Sequence, residues 1–341
     1  MDTKDQCRHV LQMKILILRF SSIGDIVLTT PVIRCLKQQM AGAEIHYCTK
    51  RQYQSLIADN PYIDRCHYLD DSLPRLISQL RQERYDIVID LHNNLRTTLI
   101  KQALGKRAFT FDKINMRKWL YVRFKVNVMP SVHIVDRYMD TVKTLGVVND
   151  NKGLDYFLPA EEPIPANYLP YTHQSSFVAY AIGGQHATKR LPVERMIELC
   201  RKIDRPVVLL GDQQDRESGE IIRRALGDLL IYNTCGLLTL NQSASLVKRA
   251  QLVYSHDTGL MHIAAAFKKP IISIWGNTTP RLGMYPYNTR HLIIENTALN
   301  CRPCSKIGHD RCPLGHHKCM NDLSFTFDPT LLQNSHRQAQ V

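Results

Sequence analysis

Four short stretches carry residue types that do chemistry, each just after an apolar run. In Ser21-Ser22-Ile23-Gly24-Asp25 a glycine permits an unusual backbone angle or a close ligand approach. Asp25 follows it at the start of a helical stretch, where a carboxylate either caps backbone amides or takes a proton as a general base. The stretch is not a GxGxxG dinucleotide fingerprint. Gly183-Gly184-Gln185-His186-Ala187-Thr188-Lys189-Arg190-Leu191-Pro192 holds two glycines, a hydroxyl and two cations. Backbone N–H groups, a helix dipole and a lysine charge suit a phosphate. The pattern is not a Walker A loop, and a solvated basic turn has the same composition. In Ser255-His256-Asp257-Thr258-Gly259-Leu260-Met261-His262, Asp257, Thr258 and the Gly259 amide can hold sugar hydroxyls or phosphate oxygens. His262, one turn on, lies near them or is a buried core histidine. Gly211-Asp212-Gln213-Gln214-Asp215 offers acids for ribose hydroxyls, or a helix cap.

The elements that must position these loops are legible as alternating patterns. Lys14–Phe20 is an apolar run of strand length, followed by a helical stretch over Ile26–Met40 and a strand over Glu44–Thr49. Tyr85–Leu91 is β-branched and reads as a buried strand. The second half repeats the logic. Strands are expected over Phe177–Ile182, Pro206–Leu210, Leu252–Ser255 and Ile271–Trp275, with helices over Pro192–Lys202 and Gly259–Phe267. Such alternation predicts βαβ units with parallel sheets, whose ligands bind beyond the strand C-termini. The expected organisation is a leader over 1–12, an N-terminal α/β domain over 13–155, a linker over 156–175 and a C-terminal α/β domain over 176–341. The linker lies in a stretch rich in Pro, Asn and Tyr. Met13 directly precedes the first strand and is a candidate start site.

Composition sets the class. The chain has 341 residues, 44% hydrophobic and 22% charged, as an ordinary globular protein does. Global disorder and a fibrous repeat are excluded. No apolar run approaches the ~20 residues of a membrane span, and the N-terminus lacks a signal peptide's apolar core. A cytoplasmic protein is expected. Lys and Arg number 44 against 31 Asp and Glu, a net charge of +13, which favours anionic partners or serves solubility. From Lys101 to Lys125 there are eight cations and one acid, interleaved with Phe109, Phe111, Trp119, Tyr121 and Phe124. Cations with aromatics suit an anionic amphipathic target at a membrane surface. Single-stranded nucleic acid is met by the same physics, and a solvated flank is the plain alternative. Ten cysteines in such a compartment are mostly reduced thiols. Four of them cluster as Cys301, Cys304, Cys312 and Cys319, with His309, His316 and His317 among them. Structural zinc, packed thiols and an oxidation disulfide all remain open there, with zinc not favoured.

Six stretches resemble glycosyltransferase family 9, the ADP-heptose:lipopolysaccharide heptosyltransferases. They are KILILRFSSIGDIVLTTPVIRCLK (14–37), YDIVIDLHNNLRT (85–97), HIVDRYMDTVKTLG (133–146), Ala187-Thr188-Lys189-Arg190, SHDTGLMHIAAAFKKPIISIWG (255–276) and CRPCSKIGHDRCPLGHHKCM (301–320). Thr188 stands alone where members often have a longer Thr-rich segment, and Leu191 replaces a frequent Trp. The resemblance implies an α/β protein of the GT-B fold, two Rossmann-like domains facing across a cleft. It implies inverting transfer from an ADP-sugar, with no required metal or cofactor. Asp25 would be the general base, and Lys189, helped by Thr188, would neutralise the leaving diphosphate. Asp257, Thr258, Gly259 and His262 would hold the sugar and phosphates, and Asp215 would lie near the ribose. Ser22 and Arg96, within matching stretches, join Lys113, Arg117, Lys118 and Arg123 as acceptor-binding candidates. The acceptor would be an anionic lipopolysaccharide core or lipid, met by a peripheral protein at the inner face of the cytoplasmic membrane. The rival readings are a GT-B transferase with another nucleotide-sugar and a non-lipid acceptor, or a non-catalytic nucleotide- or RNA-binding protein; nucleic acid is not favoured as a partner.

Overall fold

The computed structural model describes residues 13–161 and 164–326; the leader expected over 1–12 lies outside them. In chain order the first half contains β1 (Lys14–Leu18), α1 (Ile23–Val27), α2 (Thr30–Gln39), β2 (Glu44–Lys50), β3 (Arg65–Leu69), α3 (Leu73–Gln82), β4 (Ile87–Asp90), α4 (Leu95–Leu104), β5 (Arg107–Thr110), α5 (Asn115–Phe124) and α6 (Ile134–Met139). The second half contains α7 (Tyr171–Gln174), β6 (Val178–Ala181), α8 (Val193–Ile203), β7 (Val207–Leu210), α9 (Arg216–Leu226), β8 (Ile231–Asn233), α10 (Leu240–Arg249), β9 (Leu252–His256), α11 (Gly259–Ala266), β10 (Ile271–Trp275), β11 (His291–Glu295) and α12 (Lys318–Asn321).

The chain divides into two compact units. One holds the described residues up to Ser22, with Thr29–Lys113 and Val135–Asp150; the other holds Ile23–Leu28, Ile114–Ile134 and the described chain from Asn151 onward. The first unit is a five-stranded sheet of order β3-β2-β1-β4-β5, and every pairing in it is parallel. β1 is central, with Ile17 opposite Tyr47 on one side and Ile89 on the other. Leu16, Leu18, Phe20, Leu80 and Val88 are among its fully buried core residues. Strands covered on both faces need continuous apolar runs, which is why KILIL and IVID were readable as strands.

The second unit is a six-stranded parallel sheet of order β11-β10-β9-β6-β7-β8. Counted within the unit, this is the 3-2-1-4-5-6 order of the doubly wound dinucleotide fold. Order reverses between β6 and β9, so a crevice opens beyond their C-terminal ends. Tyr180, Ile182, Leu209, Tyr254 and Ile274 are in its core.

One element departs from the sequence reading. The helix expected over Ile26–Met40 is two helices, α1 and α2, with Pro31 in the first turn of α2. Proline has no N–H to give the carbonyl four residues back, and its ring clashes there, so a helix can begin at Pro31 but not run through it. That break lets α1 pack in the second unit although its chain neighbours on both sides belong to the first.

Candidate active site

The loop after β6 and the loop after β9 flank the point where strand order reverses in the second unit. Lys189 comes from the first and Asp257 from the second, and their side chains form an ion pair of 2.6 Å. Thr278, after β10, donates its hydroxyl to Asp257 Oδ2 at 3.0 Å. Three strand-end loops thus aim one ammonium at the mouth of the switch point, with Asp257 as its positioning residue. Next to it begins α11, whose first backbone N–H groups have no intrahelical acceptors. An ammonium beside a helix N-terminus suits phosphate.

The loop that carries Lys189 is held by Thr188 and by residues to which the sequence reading gave no role in the site. Buried His256 accepts the Leu191 N–H on Nε2 at 3.1 Å, so its proton sits on Nδ1, which donates to the Ile182 carbonyl at 3.1 Å. Burial pulls its pKa down to about 4, so the ring is neutral at physiological pH and fastens both ends of the loop. Thr188 donates its hydroxyl to the His309 carbonyl at 2.8 Å and accepts the His309 N–H at 2.8 Å. Its hydroxyl therefore clamps the cysteine-rich tail to the loop. Gly276 faces the same loop, since a Cβ there would lie 2.5 Å from the Thr188 carbonyl oxygen. Arg302 organises the turn after β10, donating to the carbonyls of Asn296 and Thr278 and to Glu295 Oε2. Asn277 in that turn is buried, and neither atom of its amide has a hydrogen-bond partner among the described residues.

Asp25 reaches this site through a glycine contact. A Cβ on Gly24 would lie 2.5 Å from His262 Cδ2, and one on Gly259 would lie 2.5 Å from Ile23 Cγ2. Only glycines allow α1 and α11 to approach so closely. The helix starts at Ile23, so Asp25 lies in its first turn rather than at its cap, where the dipole favours a negative charge. Its side chain is half-buried. Buried His262 lies within electrostatic reach of Asp257, Asp25 and Lys189. Burial dominates and lowers its pKa to about 4; the two carboxylates oppose that shift and Lys189 adds to it. Its Nδ1 has no partner among the described residues.

The structure thus brings Asp25, Lys189, Asp257, Gly259 and His262 together. Thr258 precedes α11, and its hydroxyl is 3.2 Å from Ser255 Oγ. Asp215 is set further into the unit: Oδ1 accepts from Arg190 at 3.1 Å and Oδ2 from the Asp212 N–H at 3.0 Å. It is wedged against Gly183 and Gly211, where a Cβ would lie 2.4 and 2.7 Å from it. Burial raises its pKa, against the pull of Arg190.

Ser22, Arg96 and Lys113 belong to the first unit, where Arg96 is exposed on α4. Arg117, Lys118 and Arg123 lie on α5 in the second, among exposed Met116, Trp119 and Phe124. Lys125 ties the end of α5 to the tail by donating to the Cys301 and Pro303 carbonyls at 3.0 and 2.6 Å. Cys301, Cys304, Cys312 and Cys319 are all free thiols. Burial pushes Cys304 up to about 11 and Cys319 up to about 12, so both are protonated at neutral pH. Among the described residues no helix is long and apolar enough to cross a membrane.

Comparison with known proteins assigns the chain to a family. The family model for glycosyltransferase family 9 (heptosyltransferase) matches residues 73–313. The lipopolysaccharide heptosyltransferase 1 of Campylobacter coli is 23% identical over 304 residues, covering 82% of this chain and 89% of that protein. Among solved structures, a family 9 glycosyl transferase from Veillonella parvula superposes with a TM-score of 0.69 at 20% identity, over 83% of this chain and 86% of that one. The ADP-heptose lps heptosyltransferase II of E. coli gives 0.66 at 21% identity, over 91% and 98%. At these identities the likeness is one of fold, and that fold is GT-B, built of two Rossmann-like α/β units.

Proposed function

Because the chain belongs to glycosyltransferase family 9 and is a glycosyltransferase, we propose that it moves a heptose from ADP-heptose to the core of lipopolysaccharide, with inversion at the anomeric carbon. The names of its relatives support donor and acceptor. The observation that carries the chemistry is the convergence of Lys189, Asp257, His262 and Asp25 at one switch point.

Asp25 takes the proton of the acceptor hydroxyl as that oxygen attacks the anomeric carbon. The carbon–oxygen bond to the diphosphate breaks, and the electron pair leaves on ADP. Lys189 and the first amides of α11 neutralise that charge, with no required catalytic metal. His262, buried and neutral with its pKa lowered to about 4, adds no positive charge beside Asp25, which acts as the base. Asn277 and His262 Nδ1 are buried polar groups that a bound donor can satisfy. On the acceptor side, Arg117, Lys118 and Arg123 beside Trp119 and Phe124 suit an anionic amphipathic lipid. We place the enzyme at the cytoplasmic face of the membrane as a peripheral protein.

The test is a thermal-shift series of the full chain with ADP, UDP, GDP and CDP, beside turnover of ADP-heptose. ADP alone is expected to raise the melting temperature by mass action. Lys189→Ala should weaken ADP about tenfold or more, the worth of a charged hydrogen bond. Asp25→Asn should keep the ADP shift and lose about 10²-fold or more in kcat. A selective shift with another nucleotide overturns the donor. Wild-type turnover by Asp25→Asn overturns the base, and tight RNA binding without any nucleotide shift overturns the enzyme reading.

A further inference from the structure

The first unit holds a second cluster of chemically capable side chains, at the end of its sheet where the strands begin. His46 comes from β2, His67 from β3, Glu83 from the end of α3 and Tyr85 from the turn before β4. His46 Nδ1 lies 3.0 Å from His67 Nε2, and the Tyr85 hydroxyl is 2.9 Å from the first and 3.0 Å from the second. The Glu83 carboxylate is 3.9 Å from each of the two nitrogens, one oxygen towards each. We propose that His46, His67 and Glu83, with the Tyr85 hydroxyl beside them, form a binding site for a divalent transition metal of the zinc class.

Four features of the cluster converge. The first is spacing. A tetrahedral zinc with ligands at about 2.0–2.1 Å holds them roughly 3.3 Å from one another, and the observed separations bracket that value. The second is ligand type: two imidazoles and a carboxylate are a nitrogen and oxygen set that zinc accepts. The third lies behind the ligands. His46 Nε2 is 2.7 Å from Glu44 Oε1, so its proton points to that carboxylate and its Nδ1 lone pair points into the cluster. A carboxylate behind a ligating histidine fixes the tautomer and strengthens the ligand. The fourth is access. A cavity of about 380 Å³ is lined by His67 and Glu83, together with Arg65, Cys66 and Gln82. Lys14 pairs with Glu44 and Glu83 at 3.1 and 3.2 Å, and Arg65 pairs with Glu83. These two cations balance the two carboxylates and hold Glu83 beside the imidazole nitrogens. A bound ion would tie β2, β3 and the end of α3 together.

Cobalt(II) distinguishes this site from the cysteine cluster. The metal-free full chain is titrated with Co2+ alone, and then with Zn2+ in competition. Site occupation is expected to give tetrahedral d–d absorption without the near-ultraviolet thiolate-to-cobalt band that cysteine ligands produce. His67→Gln should weaken that binding at least about tenfold, and Glu44→Gln, behind the ligand, about ten- to a hundredfold. Cys304→Ser should leave it unchanged. The metal-free melting temperature of each variant reports folding separately. No tetrahedral absorption, absorption that appears only together with a thiolate band, or binding that His67→Gln and Glu44→Gln both leave intact in folded protein, overturns the proposal. The cluster is then a hydrogen-bonded triangle of His46, His67 and Tyr85.

Discussion

Thr188 illustrates what a single hydroxyl does in this molecule. It touches the His309 backbone on both donor and acceptor sides, one residue before the lysine proposed to meet the diphosphate. Replacing it with valine keeps the shape and removes the partner of the half-buried His309 N–H. Thr188→Val is expected to destabilise the protein by about 1–3 kcal/mol and to weaken ADP binding although Lys189 is intact. Thr188→Ser should restore both. Denaturant unfolding and ADP titration of the three proteins check this; equal ADP affinity in Thr188→Val would show that the clamp does not position Lys189. Asp257 works in the same indirect way, held by Thr278 while it holds Lys189. The sequence motifs named Thr188, Lys189 and Asp257, yet nothing local marked His309, Thr278 or Asn277 as their companions.

At the scale of elements, the decisive pair is α1 and α11. Their contact places a helix that follows the first strand of one unit within the other unit, and it rests on two glycines. Gly24→Ala would drive a methyl group into the His262 ring. Neither backbone nor buried ring can yield cheaply, so a cost of about 1–3 kcal/mol is expected. Displacing α1 also moves Asp25, so kcat should fall more than ADP affinity. Steady-state kinetics beside ADP titration checks this; a pure loss of ADP affinity would contradict the placement of Asp25 on the acceptor side of the chemistry. Pro31 makes the arrangement accessible, because it ends the helical run that periodicity alone continues through it.

At the scale of the whole molecule, two parallel sheets bury many polar side chains near their strand ends, and acid acts on them. Burial lowers His256 and His262 to about 4, against about 6.5 in an unfolded chain. As pH falls through that window, the unfolded chain takes up protons that the folded one refuses, so stability is lost. His173, His291 and His317 are lowered by burial in the same direction. Denaturant midpoints are expected to climb from pH 4 to about 6.5 and level off above it, with a shallower slope in His262→Gln. A midpoint that is flat across this range would mean these rings are solvated in the folded state. The amino-acid sequence by itself determined the alternation of strands and helices, the two α/β halves and the loops that carry Asp25, Lys189 and Asp257. Each of these is a local pattern: an apolar run, then glycine and polar residues, then a helix. Only the tertiary structure decided which loops meet. Lys189 and Asp257 are 68 residues apart in sequence, and Thr188 and His309 are 121 apart. Their meeting depends on β6 lying beside β9 and on a tail folding back over the loop. Strand order and chain return are set by packing between distant segments, and no local spacing encodes them.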